Sequence, residues 1–163
     1  MNIYYAAYGS NLNKDQMSYR CPAATIHKAM VLPDYKLVFK GVADIIPSKG
    51  DQVQVMLWNI TEDCEKSLDI YEGFPRLYRK QYWKILKGGR ETGDWIMAYV
   101  MNGHDIGRPS KFYYDGIYEG YTDCGLDHSD LERALKDSLK VRTVGYTPKR
   151  YRAPSLARSS VLR

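Results

Sequence analysis

The sequence of this 163-residue chain predicts a single α+β domain on a mixed, mostly antiparallel, barrel-like sheet with flanking helices. Three observations lead to this prediction. Predicted strands outnumber helices, hairpin turns alternate with isolated helices, and no internal repeat divides the chain. The length also fits a single domain, because a chain of this size can bury most of the surface that it exposes when unfolded. We expect the domain to span residues 1–143 and residues 144–163 to form a flexible tail.

The chain opens with an apolar, aromatic-rich strand that stops at Gly9-Ser10-Asn11. Gly9 permits a positive φ, and Ser10 and Asn11 are expected to cap a short helix over 13–17 through their side-chain oxygens. A strand, tight loop and helix start leave several backbone N–H groups unpaired around one spot. Such a spot could hold a carboxylate or a developing oxyanion, although an ordinary strand-to-helix turn shows the same pattern.

The next part of the chain is predicted to be extended. Residues 23–27 and 31–39 read as two strands broken at Pro33-Asp34, and residues 41–47 form another short extended piece. Residues 48–51 (S-K-G-D) carry a strong turn signal. Residues 52–60 first alternate between polar and apolar side chains and then become mostly apolar, as expected for a central strand.

A helix is predicted to begin at the cap Thr61 and to end at Gly73, followed by Pro75. Glu72 is its last residue, where the negative end of the helix dipole disfavours a carboxylate. If neighbouring aromatic residues also exclude water, both effects raise the pKa of Glu72. Such a carboxyl could take and return a proton near neutral pH, whereas an exposed Glu would be inert.

The second half is predicted to hold one hairpin and two helices. Residues 78–86 and 94–101 are antiparallel neighbours, and Pro109-Ser110 opens a helix with Tyr113 on its apolar face. Residues 129–132 (S-x-x-E) fit a capping box before the last helix.

Composition argues against several classes of function for the predicted domain. The net charge is +5, but five basic and no acidic residues lie between positions 146 and 163, so the rest of the chain is close to neutral. A nucleic-acid-binding fold would carry the basic face itself. Three distant cysteines and three isolated histidines favour neither a disulfide framework nor a metal site, and they fit a reducing cytosol. Neither a signal segment nor a membrane span is indicated, so we expect a cytoplasmic protein.

Two separated motifs resemble those of the γ-glutamylcyclotransferase family. They are Y-G-S-N-L at residues 8–12 and L-D-x-Y-E-G-x-P-x-x-Y at residues 68–78. Three lesser motifs are also similar and occur in the same order: D-Y-K-L-V-F, V-x-V-x-L-W, and P-S-x-x-Y-x-x-x-I-x-x-G beginning at Pro109. The resemblance spans residues 3 to about 126.

The resemblance implies a closed or nearly closed sheet and a reaction that needs no cofactor. In that reaction, the α-amine of a γ-glutamyl group attacks its own γ-carbonyl, which gives 5-oxoproline and a free amine or amino acid. Glu72 matches the family's catalytic carboxylate. The residues that match the family's substrate-binding loop and pocket are Tyr8, Gly9, Ser10, Asn11, Leu12, Tyr78, Tyr99 and Tyr113.

Two other functions remain open at this point. The same fold could be a non-catalytic module that binds a small anion or a partner. The tail, which has no counterpart in the family, interleaves Tyr151 with Lys149, Arg150 and Arg152 and could engage nucleic acid. The leaving amine, the oligomeric state and the choice between oxyanion and α-carboxylate at the loop are also open.

Overall fold

A computed structural model describes residues 2–141, and the predicted tail therefore lies outside the described residues. These residues form five strands, four α-helices and one short 3-10 turn. In chain order they are β1 (Ile3–Ala7), the 3-10 turn (Ser10–Leu12), α1 (Lys14–Arg20), β2 (Thr25–Phe39), β3 (Ala43–Asn59), α2 (Glu62–Glu72), β4 (Tyr78–Lys87), β5 (Arg90–Met101), α3 (Lys111–Asp123) and α4 (Ser129–Lys140). No helix within residues 2–141 is both long and apolar enough to cross a membrane.

The strands form one mixed sheet in the order β2-β3-β1-β5-β4. The central strand β1 runs antiparallel to β3 and parallel to β5, and the two remaining pairings are antiparallel. Four of the five residues of β1 are buried, as a central strand with both faces covered requires. The predicted mixed, mostly antiparallel sheet is confirmed.

The sheet is nearly closed, but no ladder of hydrogen bonds joins its edges within the described residues. The edge strands β2 and β4 instead meet through side chains. The rings of Tyr35 on β2 and Trp83 on β4 make a T-shaped contact with centroids 5.4 Å apart. This contact requires the sheet to curl until its two edges face each other.

The predicted break at Pro33-Asp34 is wrong, because β2 pairs with β3 on both sides of it. Pro33 lies opposite Gln52 and Tyr35 opposite Pro47, so residues 48–51 loop out opposite Asp34. Asp34 takes a positive φ of 60°, and its Oδ1 accepts a hydrogen bond of 2.9 Å from the Gly50 N–H. The turn signal at 48–51 therefore marks a bulge within one long hairpin and not the end of a strand.

Local capping signals position both ends of α2. The Thr61 hydroxyl accepts a hydrogen bond of 3.2 Å from the Cys64 N–H, and the helix ends at Gly73 with φ of 67°. Only a residue tolerant of the left-handed region suits that end. Both predicted ends are confirmed, and Glu72 is the last helical residue.

The last two helices pack against different parts of the domain. Ser110 caps α3, as predicted, and α3 packs against the 3-10 turn. α4 packs on β2, but Ser129 is its first helical residue and not its cap. The Asp127 carboxylate performs that task by accepting a hydrogen bond of 2.9 Å from the Ser129 N–H. An acceptor two positions upstream of the expected cap thus holds the first N–H of the helix, and the helix begins at Ser129 itself.

Candidate active site

The loop after β1 is shaped by close packing around Gly9. Its φ of −123° is negative, so Gly9 does not use the positive φ that a glycine permits. A Cβ on Gly9 would lie 3.2 Å from the Ala43 Cβ and 3.6 Å from the Tyr113 hydroxyl. Glycine is needed here because β3 and α3 approach the backbone, and its ψ of −134° lies outside the usual extended range.

Ser10 and Asn11 do not cap α1, contrary to expectation. They form the buried 3-10 turn, and Asn13 is the cap, with its Oδ1 accepting a hydrogen bond of 3.0 Å from the Gln16 N–H. The extra turn moves the cap from Asn11 to Asn13, and the helix begins at Lys14, one residue later than expected. The side chains of Ser10 and Asn11 are consequently available for tertiary contacts.

The same turn leaves amide donors available. The N–H groups of Leu12 and Asn13 donate back to the carbonyls of Gly9 and Ser10, at 3.0 and 3.2 Å. Within residues 2–141, the structure gives no acceptor to the backbone N–H groups of Gly9, Ser10 and Asn11. Three consecutive donors of this kind are what an anion-binding loop requires, and anion binding at this loop stays a prediction.

Glu72 meets this loop from the end of α2. The Asn11 Nδ2 donates to the Glu72 Oε1 at 3.2 Å and to the Tyr5 hydroxyl at 2.7 Å. Burial raises the pKa of Glu72 from 4.5 to about 7, while the charge of Arg20 and the Asn11 hydrogen bond act in the opposite direction. The direction agrees with the expectation from sequence. A carboxyl with this pKa exchanges protons readily at neutral pH.

Tyr78 and Tyr113 are held by the backbone of one residue, Ala43. The Tyr78 hydroxyl donates to the Ala43 carbonyl at 2.8 Å, and the Tyr113 hydroxyl accepts from the Ala43 N–H at 3.0 Å. Burial raises the pKa of both hydroxyls, so both stay protonated at neutral pH. Tyr113 therefore keeps its proton for a ligand acceptor, whereas the Tyr78 oxygen can accept from a ligand donor.

The other predicted site residues support the framework through their hydroxyls or their packing. The Tyr8 hydroxyl donates to the Tyr99 carbonyl, and the Tyr99 hydroxyl donates to the Asp69 Oδ1 at 2.6 Å. Tyr99 also packs against Tyr5 in a T-shaped contact, and Leu12 is fully buried. Substrate contact by Tyr8, Leu12 and Tyr99 stays a prediction.

Arg20 is a residue that the sequence analysis missed. Its Nη1 donates to the Asn11 Oδ1 at 2.6 Å and to the Ser10 Oγ at 3.3 Å. Its guanidinium carbon lies 3.7 Å from the centroid of the Tyr71 ring, and the Tyr71 hydroxyl is 3.1 Å from the Ser10 Oγ. The only sequence signal is an arginine at a helix C-terminus, which the helix dipole explains without any function.

Two other features lie apart from this cluster. A surface groove adjoins the turn after α2 but includes neither Glu72 nor the loop, and it is lined by Asp69, Ile70, Gly73, Phe74, Pro75, Arg76 and Leu77. Among the described residues, no group of three or more His, Cys, Asp or Glu side chains could hold a metal ion. The groups that could carry out chemistry therefore lie where the loop contacts Glu72.

Comparison with known proteins shows the family to which the chain belongs. The family model described as "Gamma-glutamyl cyclotransferase, AIG2-like" matches residues 5–119. The chain is 31% identical over 140 residues to the gamma-glutamylcyclotransferase of Homo sapiens, covering 77% of this chain and 73% of that protein. It is 35% identical over 142 residues to the gamma-glutamylcyclotransferase of Bos taurus, again covering 77% of this chain and 73% of that protein.

Solved structures show the same similarity in three dimensions. A gamma-glutamyl cyclotransferase superposes with a TM-score of 0.71 at 27% identity, covering 90% of this chain and 94% of that one. An uncharacterised protein of Homo sapiens superposes with a TM-score of 0.68 at 29% identity, covering 90% and 91%. On the match of the family model and of these relatives, the chain belongs to the gamma-glutamyl cyclotransferase, AIG2-like family.

Proposed function

We propose that this protein is a cyclotransferase that converts a γ-glutamyl amino acid or γ-glutamylamine to 5-oxoproline and a free amine. One observation carries the proposal. Glu72, whose pKa is about 7, is hydrogen-bonded to the loop that offers three backbone N–H donors, none of which has an acceptor among residues 2–141. The family membership supports the reaction type.

Glu72 is the proton carrier in the proposed reaction. The substrate's α-ammonium loses one proton to solvent. The ionised Glu72 then removes a second proton as the nitrogen bonds to the γ-carbon. The protonated carboxyl returns that proton to the leaving nitrogen as its bond to the γ-carbon breaks. A pKa near 7 serves both steps, because either form of Glu72 is then readily reached.

The loop and the two tyrosines bind the substrate in this proposal. The reacting molecule carries an α-carboxylate and a developing oxyanion, and both are stabilised by N–H donors that are already oriented. Gly9, Ser10 and Asn11 supply those donors. Tyr113 donates its free proton to a substrate oxygen, and the Tyr78 oxygen accepts from the α-amino group.

The proposed catalytic unit is the domain formed by residues 1–143. The family model matches residues 5–119, and all the proposed site residues lie within that range. The substrate is a small molecule, and the reaction needs no cofactor because every proton and every donor comes from the chain or from solvent. Residues 144–163 take no part in the proposed chemistry.

The test is a panel assay for 5-oxoproline. The full chain is incubated with γ-glutamyl amino acids and γ-glutamylamines, and 5-oxoproline is quantified by mass spectrometry. At least one compound is expected to be turned over, and Glu72→Gln is expected to lower kcat by a factor of about 1,000 or more. The matched control is Glu62→Gln, which changes an exposed Glu at the start of the same helix and should leave kcat unchanged.

Two results would contradict the proposal. Turnover that survives Glu72→Gln would remove Glu72 from the mechanism. A wild-type protein that releases no 5-oxoproline, yet shows a thermal shift with γ-glutamyl compounds, would indicate the alternative, a binding module on the same fold.

A further inference from the structure

We propose that Arg20 is a positioning residue that fixes the side-chain amide of Asn11, so that its NH₂ group and not its oxygen faces Glu72. This inference rests on the proposed role of Glu72 as proton carrier. It is carried by the hydrogen bonds of one amide, which join α1, β1 and α2 at a single point.

The contacts of Asn11 allow one orientation of its amide. The Oδ1 faces a guanidinium, which can only donate, and the Nδ2 faces the Glu72 carboxyl at 3.2 Å and the Tyr5 hydroxyl at 2.7 Å. A flipped amide would set its NH₂ group against the Arg20 donors and its oxygen against an ionised carboxylate. Arg20 thereby selects the orientation that stabilises the ionised form of Glu72.

Arg20 can perform this task because its own position is fixed from three sides. Its Nη2 donates to the Gln16 Oε1 at 2.8 Å, one turn earlier on α1. Its planar group stacks on the Tyr71 ring, and its Nη1 also reaches the Ser10 Oγ at 3.3 Å. A guanidinium that is stacked and hydrogen-bonded in this way loses little further freedom on holding Asn11, whereas a lysine would offer one flexible charge.

Electrostatics act in the same direction as the hydrogen bonds. The positive charge of Arg20 lowers the pKa of Glu72, against the larger effect of burial, and the Asn11 hydrogen bond lowers it as well. Removing Arg20 takes away the charge and frees the amide to flip. Both changes favour the protonated carboxyl, which cannot act as a base.

The first experiment measures kcat/KM against pH for the wild type, Arg20→Met and Arg20→Lys. The acid limb of this profile reports the pKa of the free enzyme's essential base. We expect Arg20→Met to move that limb upward by about one pH unit and to lower kcat/KM at pH 6 about tenfold. Arg20→Lys keeps the positive charge but lacks the paired N–H donors of a guanidinium. Its acid limb should therefore lie between those of the wild type and Arg20→Met.

Two further variants isolate the positioning role. Arg133→Met is the matched control, because Arg133 pairs with Asp130 on α4, away from the loop, and its profile should follow the wild type. In an Asn11→Ala background, Arg20→Met should shift the acid limb by less than half as much as in the wild type, because Arg20 then has no amide to orient. An equal shift in both backgrounds would overturn the positioning role and leave only a charge effect.

A titration that needs no substrate separates this inference from the proposed function. The pKa of the Glu72 carboxyl is followed by NMR in protein with ¹³C-labelled glutamate, with Glu72→Gln identifying the resonance. Arg20→Met should raise that pKa by about one unit whether or not any compound is turned over. An unchanged pKa, or a loss of activity that is uniform across pH, would overturn the inference.

Discussion

Replacing Glu72 by glutamine should stabilise the fold at neutral pH. The carboxyl is partly buried, and its pKa rises from 4.5 to about 7 on folding. The folded state therefore binds the proton more tightly than the unfolded state does. Stability that depends on this proton is fully present below pH 4.5 and is lost as the pH rises to about 7.

The magnitude follows from the size of the shift. A rise from 4.5 to about 7 corresponds to a loss of about 3 kcal/mol in the free energy of unfolding, at about 1.4 kcal/mol for each pKa unit. Glutamine has nearly the same shape and keeps an oxygen for the Asn11 amide, but it carries no charge at any pH. The variant should therefore match the wild type near pH 4.5 and exceed it by about 3 kcal/mol at pH 8.

The assay is urea unfolding of the wild type and of Glu72→Gln at several pH values between 4.5 and 8. Both proteins share all other titratable groups, so the contributions of those groups cancel when the two free energies of unfolding are subtracted. The difference reports the contribution of Glu72 alone. Glu62→Gln provides the control, since this exposed residue lies at the favourable end of the helix dipole and should give no gain with rising pH. A difference that stays constant with pH, or that falls as the pH rises, would refute a raised pKa at Glu72.

Three further substitutions test the packing and hydrogen bonds around the site. Gly9→Ala places a Cβ 3.2 Å from that of Ala43 and should raise KM about tenfold in the 5-oxoproline assay, because the loop must shift. Tyr113→Phe removes the hydroxyl that accepts from the Ala43 N–H and should raise KM about tenfold with little change in kcat. Gly120→Ala would bring a Cβ within 2.6 Å of the Asn13 nitrogen and should cost about 3 kcal/mol in urea unfolding, and an unchanged stability would contradict this packing of α3.

Features with local causes could be predicted from the sequence. The ends of α2 follow from a capping threonine and a terminal glycine, which are signals within a few residues of the helix. The position of Glu72 at the helix end therefore followed from the chain alone. The direction of its pKa shift agrees with the expectation from its place at the negative end of the helix dipole, while the burial that dominates the shift depends on tertiary packing.

Features with distant causes could not be predicted in the same way. Arg20 and Glu72 are 52 positions apart, and their connection through Asn11 exists only after α1 and α2 pack together. The bulge at residues 48–51 carries the same turn chemistry as a chain reversal, and only the pairing of both flanks with β2 distinguishes the two. The role of Gly9 depends on the approach of Ala43, and one sequence does not show that approach.

The hydrogen bonds from the Ala43 backbone to Tyr78 and Tyr113 determine which substitutions at position 43 the site can accept. Ala43 acts through its N–H and carbonyl, so a change to glycine would keep both hydrogen bonds, whereas a large side chain at this buried position would press against Gly9 and the core. Proline would remove one of the two hydrogen bonds, because it lacks the N–H that Tyr113 requires. The alignment of the Tyr78 and Tyr113 hydroxyls thus depends on the peptide backbone of residue 43 and not on its side chain. An alanine scan would not detect this dependence, because the residue is already alanine.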